Sequence, residues 1–298
     1  MIFDRQKRLL ALLDTHGGEV SKLDFQKLLF LYCMNVERIP SYQFVPYKFG
    51  GFSFTSYADK RRLTEKSLLD DTERTWKLTK SGKAAAKVNS ATRIEMHRFA
   101  KQYADVRGDP LVAAAYRQHP YYAIRSEIIS RILKRDASAL AAVEAARPRP
   151  ATAGICTIGY EGRTLEAYLN LLLKSGVTVL CDVRRNPLSR KYGFSKRTLS
   201  SSCEGVGIRY EHLPELGIDG QRRRELETQG DYDALFADYE RDDLPKQEQA
   251  LDRITAWVKK GERVALTCYE SQPHQCHRHC VAEALERTAN RDWCVEHL

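Results

Sequence analysis

The chain has 298 residues, 43% apolar and 29% charged, a size and balance that suit two medium globular domains. Its formal net charge of +9 is uneven: residues 1–150 hold 27 Lys and Arg against 16 Asp and Glu, and residues 151–298 hold 21 against 23. No run approaches eighteen apolar residues, which excludes a membrane-spanning helix, and the start M-I-F-D-R-Q-K-R lacks the apolar stretch of a secretory signal. Eight scattered cysteines in a chain this long read as reduced thiols, so a cytoplasmic location is expected. A basic front half is the electrostatic footprint of a nucleic-acid partner.

Residues 5–15 have a helical pattern that Gly17-Gly18 stops, and Ser21 caps a second helix with Asp24 three residues on. Along that helix Phe25, Leu28, Leu29, Tyr32, Cys33 and Val36 repeat as one apolar stripe, which makes Cys33 a core residue. The aromatic stretch 41–63 is extended, broken at Gly50-Gly51, and then turns helical; residues 74–87 read as a short strand, a turn and a basic helix start. Helix, helix, strand, turn, strand is the order of a winged-helix-like module, expected over residues 1–90. In it Phe52, Phe54 and Tyr57 either stack on bases beside Lys60, Arg61 and Arg62 or form the small domain's core. Residues 91–150 read as a helical connector, and R-P-R-P-A-T-A-G (147–154) as a linker.

From residue 154 strands and helices alternate: strand 155–159, helix 164–174, strands 177–183, 208–210 and 263–269, a helix from about 277, and a last strand in 292–297. Such alternation predicts a Rossmann-like, mainly parallel α/β sheet over 154–298, with ligands at the carboxyl ends of its strands. Those ends deliver Tyr160 and Glu161 from the first strand, and Asp182, Arg184 and Arg185 from the second. Between 184 and 197 there are six basic residues and no acidic one, which suits phosphate, although a solvated loop has the same composition. Asp182 follows an apolar strand, so Arg184 or Arg185 is its expected partner, either as a structural ion pair or beside a catalytic carboxylate.

The densest cluster is C-Y-E-S-Q-P-H-Q-C-H-R-H (268–279). Cys268 reads as packing, Glu270 as facing a ligand, and Cys276-His277-Arg278 as a helix start that favours an anion or depresses a thiol pKa. No C-x-x-C pair is present, so the linear spacing argues against structural zinc. A phosphatase-like Cys-x5-Arg loop is absent too.

Four motifs carry a resemblance: T-I-G-Y-E-G (157–162), C-D-V-R-R-N-P-L-S (181–189), I-R-Y-E-H-L-P-E-L-G (208–217) and L-T-C-Y-E-S-Q-P-H-Q-C-H-R (266–278). In this order they resemble the bacterial family catalogued as domain of unknown function 488. The family positions matched are Asp182, Arg184, Pro187, Ser189, Glu270, Pro273, Cys276, His277 and Arg278; Leu216-Gly217-Ile218 departs where a second glycine is expected. The resemblance implies a Rossmann-like fold in a bacterial intracellular protein and supplies no reaction. D-F-Q-K-L-L-F-L-Y (24–32) and Y-K-F-G-G-F-S-F-T-S-Y-A-D (47–59) are similar to the Panacea-type domain of bacterial antitoxins and phage-associated proteins.

The expected function is that of an enzyme acting on nucleic acid, DNA rather than RNA, or on a nucleotide. It would hydrolyse an N-glycosidic or phosphodiester bond in defence or repair. Glu270 or Asp182 would activate water or stabilise an oxocarbenium-like centre, with Cys276 and His277 as further catalytic candidates. Tyr160, Arg184, Arg185, Ser189, Arg190, Lys191 and Arg278 would hold the ligand, and Lys60, Arg61 and Arg62 would dock the polyanion. No cofactor or metal is expected, and a homodimer is left open. The alternatives are a DNA-binding regulator or antitoxin-like partner without catalysis, and thiol chemistry at Cys276.

Overall fold

The computed structural model describes residues 2–223, 226–288, 293 and 295–298, and divides the chain into two compact units that meet between Arg147 and Pro148. The first holds α1 (Asp4–Thr15), β1 (Glu19–Ser21), α2 (Lys22–Asn35), a hairpin of β2 (Val45–Tyr47) and β3 (Gly50–Phe52), α3 (Phe54–Glu65), β4 (Leu69–Asp71) and β5 (Thr75–Leu78). Five helices follow: α4 (Lys80–Ala85), α5 (Ser90–Gln102), α6 (Asp109–Gln118), α7 (Ile129–Ile132) and α8 (Ala137–Ala145). Strands β1, β5 and β4 form an antiparallel sheet in that order in a mostly helical unit; β1 between α1 and α2, and the β2–β3 hairpin and α3 ahead of β4, are additional to the helix, helix, strand, turn, strand order expected.

Ser21 caps α2 as expected, its Oγ accepting the Asp24 N–H at 3.1 Å. The single apolar stripe foreseen on α2 underestimates its burial, for every residue from Phe25 to Cys33 is inside. The outer face is covered by β3 and α6, elements that periodicity within α2 cannot reveal. Residues 91–147 are likewise no separate connector: Met96, Phe99, Leu111 and Tyr116 share one core with Leu28, Phe30 and Tyr32. The aromatics of 41–63 pack on one another, with Phe52 stacked on Tyr47 (4.7 Å) and tilted against Tyr57 (4.8 Å), which meets Trp76.

Full burial extends to Lys27, whose Nζ donates to the Gly51 carbonyl at 3.1 Å. Desolvation lowers this ammonium from 10.5 to about 7. Beside it the Gln26 amide is buried without a hydrogen-bond partner, and both line a cavity of about 270 Å³ with Tyr47, Phe52 and Tyr57.

The second unit is built from β6 (Gly154–Gly159), α9 (Leu165–Lys174), β7 (Val179–Asp182), α10 (Lys196–Gly205), β8 (Arg209–His212), α11 (Gln229–Asp238), α12 (Glu248–Lys259), β9 (Arg263–Cys268), α13 (Arg278–Thr288) and β10 (Glu296–His297). Its strands lie in the order β10-β6-β9-β7-β8, every pairing parallel, which is the Rossmann-like α/β sheet expected. Residues 292 and 294 of the expected last strand lie outside the described residues. Strands β6, β7 and β9 are apolar runs rather than alternating ones because helices cover both faces of the sheet. Ile155, Val179, Val264 and Leu266 meet Ile254, Val281 and Leu285 in the core. Thr164 starts α9 by accepting the Ala167 N–H.

Lys27 makes the stability of the first unit depend on pH in a definite sense. Its folded pKa lies below its unfolded value, so the unfolded chain binds more protons between pH about 7 and 10.5, and stability rises with pH across that window. Lys27→Met is expected to raise stability at pH 7 by at least ~1 kcal/mol and to remove that rise. Urea denaturation of both proteins at pH 7 and pH 9 measures it; a Met variant no more stable at pH 7 would contradict the assignment.

Candidate active site at the carboxyl ends of the parallel strands

β7 ends on Asp182, whose side chain is fully buried. The chain then turns so that Arg184 reaches back, with Nε donating to Asp182 Oδ1 at 2.8 Å and Nη2 to Oδ2 at 2.6 Å. The Arg184 backbone N–H adds a bond to Oδ1 (3.1 Å), and the Tyr210 hydroxyl, from β8, donates to Oδ2 (2.6 Å). The same guanidinium donates through Nη1 to the Tyr160 hydroxyl (3.0 Å) and the Phe194 carbonyl (2.9 Å). Of the two partners foreseen for Asp182, Arg184 is the one. With four donors on its two oxygens, Asp182 is a structural carboxylate in this geometry.

Beyond that anchor the loop 185–195 carries Arg185 and Arg190 exposed to solvent. Ser189 builds the loop, its backbone N–H and carbonyl both bonded to Ser195 Oγ at 3.1 Å and its own Oγ accepting from the Lys191 N–H. Lys191 turns its Nζ to the Tyr160 carbonyl at 3.1 Å. Gly217 lies against this loop so closely that a Cβ there would sit 2.1 Å from the Arg185 nitrogen; the close approach, with one glycine in place of the two expected, is met by Gly217 alone.

The opposite wall comes from the end of β9. Cys268 closes the strand, Tyr269 is 45% exposed, and Glu270 follows. Residues 270–271 are held from two sides, and a glycine makes room on a third. Arg278, buried at the start of α13, donates Nη1 to the Glu270 carbonyl (2.5 Å) and Nη2 to the Ser271 carbonyl (2.9 Å). Glu161 accepts from the Ser271 N–H and hydroxyl at 3.0 and 3.1 Å, and those bonds hold its carboxyl below the usual range. Gly159 lets the Glu270 carbonyl pass where a Cβ would stand 1.8 Å from it. Arg278 was expected to grip phosphate; here it positions the segment that carries Glu270.

Between the two walls lies a cavity of about 760 Å³. Of the residues singled out from sequence, Tyr160, Arg184, Arg185, Ser189, Arg190, Glu270 and His277 line it. Asp182 and Cys276 are buried behind it, and Arg278 and Lys191 act on backbone carbonyls. Reading the sequence missed Cys268, Tyr269, Leu188, Asp219 and Tyr232, which also line the cavity. Tyr269 follows the strand end directly, which is the signal that could have found it. Asp219 and Tyr232 carry no local signal.

Cys276 does not open a helix. It ends the short 3-10 turn Pro273–Gln275, and α13 begins at Arg278. Burial and the adjacent Cys268 push its thiol well above the ordinary value, the opposite of what a solvent-reactive thiolate needs. Cys268 Sγ stands 3.5 Å from Glu270 Oε2 and 3.9 Å from His277 Nδ1, and the His277 Nε2 is 3.0 Å from the Val183 carbonyl.

In the first unit, Lys60 pairs with Asp71, which also takes Lys22 at 3.0 Å, so its ammonium is engaged within the unit. Arg61 and Arg62 are exposed on α3.

Residues 164–285 match the model of the family described as Domain of unknown function DUF488. No curated protein and no solved structure matches the chain. The matched span contains both cavity walls; Tyr160 and Glu161 precede it.

Asp182 and Arg184 are expected to depend on each other. Asp182→Asn leaves a buried guanidinium without its counter-charge and should cost about 3–5 kcal/mol. Chemical denaturation of the variant checks this, and a loss below ~1 kcal/mol would show that the pair is not the anchor.

Proposed function

We propose that the C-terminal unit, which carries a domain of the DUF488 family, is the hydrolytic part of an enzyme acting on a nucleotide or a nucleic acid, DNA before RNA. The observation that carries this reading is the pairing of walls across one cavity: exposed Arg185 and Arg190 on one side, a braced Glu270 on the other. Two free guanidinium groups suit phosphate oxygens, which they grip bidentately. The exposed rings and side chains of Tyr269 and Leu188 offer apolar faces to a base. Glu270, whose backbone carbonyl is gripped by Arg278, would take a proton from water or stabilise a developing cation. The bond attacked would be N-glycosidic or phosphodiester, chemistry that serves defence or repair.

A docking role for the first unit is favoured by its charge, 27 basic against 16 acidic residues through position 150. Arg61 and Arg62 on α3 are the residues left exposed for it.

Purified full-length protein offered mononucleotides, single- and double-stranded DNA and RNA, with products identified by mass spectrometry, tests the enzymatic reading. Glu270→Gln is expected to lower kcat by about 10²–10⁴-fold. Arg185→Ala with Arg190→Ala should raise KM more than it lowers kcat, because both groups bind rather than react. Wild-type rates in both variants would end the proposal. Separately, duplex DNA binding followed by fluorescence anisotropy should weaken linearly on a log–log plot against salt, with a shallower slope in Arg61→Ala/Arg62→Ala. Binding indifferent to salt would remove the docking role.

A further inference from the structure

We propose that Cys268, Cys276 and His277 form a three-ligand centre for a divalent transition metal, zinc by its ligand chemistry, with a fourth position open to the cavity beside Glu270. The Sγ atoms of the two cysteines and a ring nitrogen of His277 all lie within 4.8 Å of one another, and all three residues are buried. The linear spacing hides this. Cys268 ends β9 and Cys276 follows a turn through Pro273, and the fold closes that turn so that residues eight and nine apart meet.

Three features distinguish the cluster from a packing accident. First, the imidazole is aimed. Its Nε2 is 3.0 Å from the Val183 carbonyl, an acceptor only, so in the neutral ring the proton sits on Nε2 and the Nδ1 lone pair faces Cys268 Sγ at 3.9 Å. A metal-bound histidine is oriented in this way, with its other nitrogen donating to a backbone carbonyl. Second, the separation of Cys268 Sγ from His277 Nδ1 is close to that of a loaded site. With Zn–S about 2.3 Å and Zn–N about 2.0–2.1 Å, a tetrahedral centre sets S···N at about 3.6 Å, within a few tenths of the separation seen here. Third, charge and softness agree. Two thiolates and one divalent ion sum to zero, the condition under which charges tolerate burial, and a donor set with two sulfurs selects zinc over magnesium or calcium.

Openness follows from which residues reach the cavity. Cys268 and His277 line it together with Glu270, whose Oε2 is 3.5 Å from Cys268 Sγ, while Cys276 lies behind them. Water in the fourth position would lie next to a carboxylate. There Glu270 would take one of its protons, leaving a metal-held hydroxide to attack the substrate, and return that proton to the leaving group. This catalytic assignment rests on the hydrolytic reading of the cavity. The metal centre itself does not.

Wild-type protein, purified without chelator under reducing conditions and dialysed, should carry about one zinc per chain by elemental mass spectrometry. After removal of the zinc, cobalt(II) titration should give a thiolate-to-metal charge-transfer band and the visible spectrum of a four-coordinate ion. Both measurements use the wild-type chain, so they decide the question even if ligand variants fold poorly. Cys276→Ser and His277→Ala should lose the metal, whereas Cys280→Ala, one turn along α13 and outside the cluster, should keep it. A wild-type chain that holds no transition metal and takes up neither zinc nor cobalt overturns the inference, as does retention of full metal by both ligand variants. Loss of metal from Glu270→Gln would overturn the open position by making Glu270 a ligand. Metal without hydrolysis leaves the centre standing and removes the enzyme; hydrolysis without metal does the reverse.

Discussion

The second unit depends on one buried ion pair. A parallel sheet covered on both faces offers its chemistry only at strand ends, and β7 ends on a carboxylate with no exposure to water. Arg184, two residues on, neutralises it through two parallel bonds; Tyr210 adds a donor to the carboxylate, and Tyr160 and Phe194 accept from the guanidinium. Tyr210 belongs to β8, Tyr160 follows β6, and Phe194 offers its carbonyl from the far end of the basic loop. One pair therefore ties the ends of β6 and β7 and the body of β8 to the start and finish of the loop. A pair of apolar residues could replace its energy, but not the fixed direction that its bidentate geometry gives the chain.

A second buried arginine does the matching work on the other wall. Arg278 and Glu161 hold the backbone at residues 270 and 271, and Gly159 leaves room for the carbonyl that Arg278 grips. The Glu270 carboxylate is thus carried on backbone that is fixed from both sides. In both walls the buried arginine sets geometry. Arg184 and Arg278 are hydrogen-bonded within the protein, whereas Arg185 and Arg190 face solvent at the cavity rim.

This division explains what the sequence could and could not reveal. Strand ends, the linker near 148 and the basic loop follow from periodicity, proline and charge, all of them local signals. The roles of individual arginines do not, because 184 and 185 differ in burial and not in type. Cys268 read as packing because its partners are eight and nine residues away, and only the turn at Pro273 brings them within 4.8 Å. Likewise Asp219 and Tyr232 reach the cavity from a connection whose register no strand fixes. In the first unit Lys27 sits within an apolar helical run, and nothing in the run announces that its outer face is covered by β3 and α6.

On the proposed reading, the distribution of charge across the cavity would orient a substrate. Arg184 is compensated by Asp182, so the uncompensated positive field at the mouth belongs to Arg185 and Arg190, while Glu270 and Asp219 supply negative charge. An anionic group settles where positive potential is highest and water can still reach, which is the loop side. The uncharged remainder of the ligand then lies towards Tyr160 and Tyr269, whose rings meet edge to face at 5.3 Å. A bond between those two parts falls towards the end of β9, in front of Glu270, Cys268 and His277. The cavity thus sets exposed guanidinium groups at one end and aromatic faces at the other, the arrangement on which the proposed nucleotide reading rests.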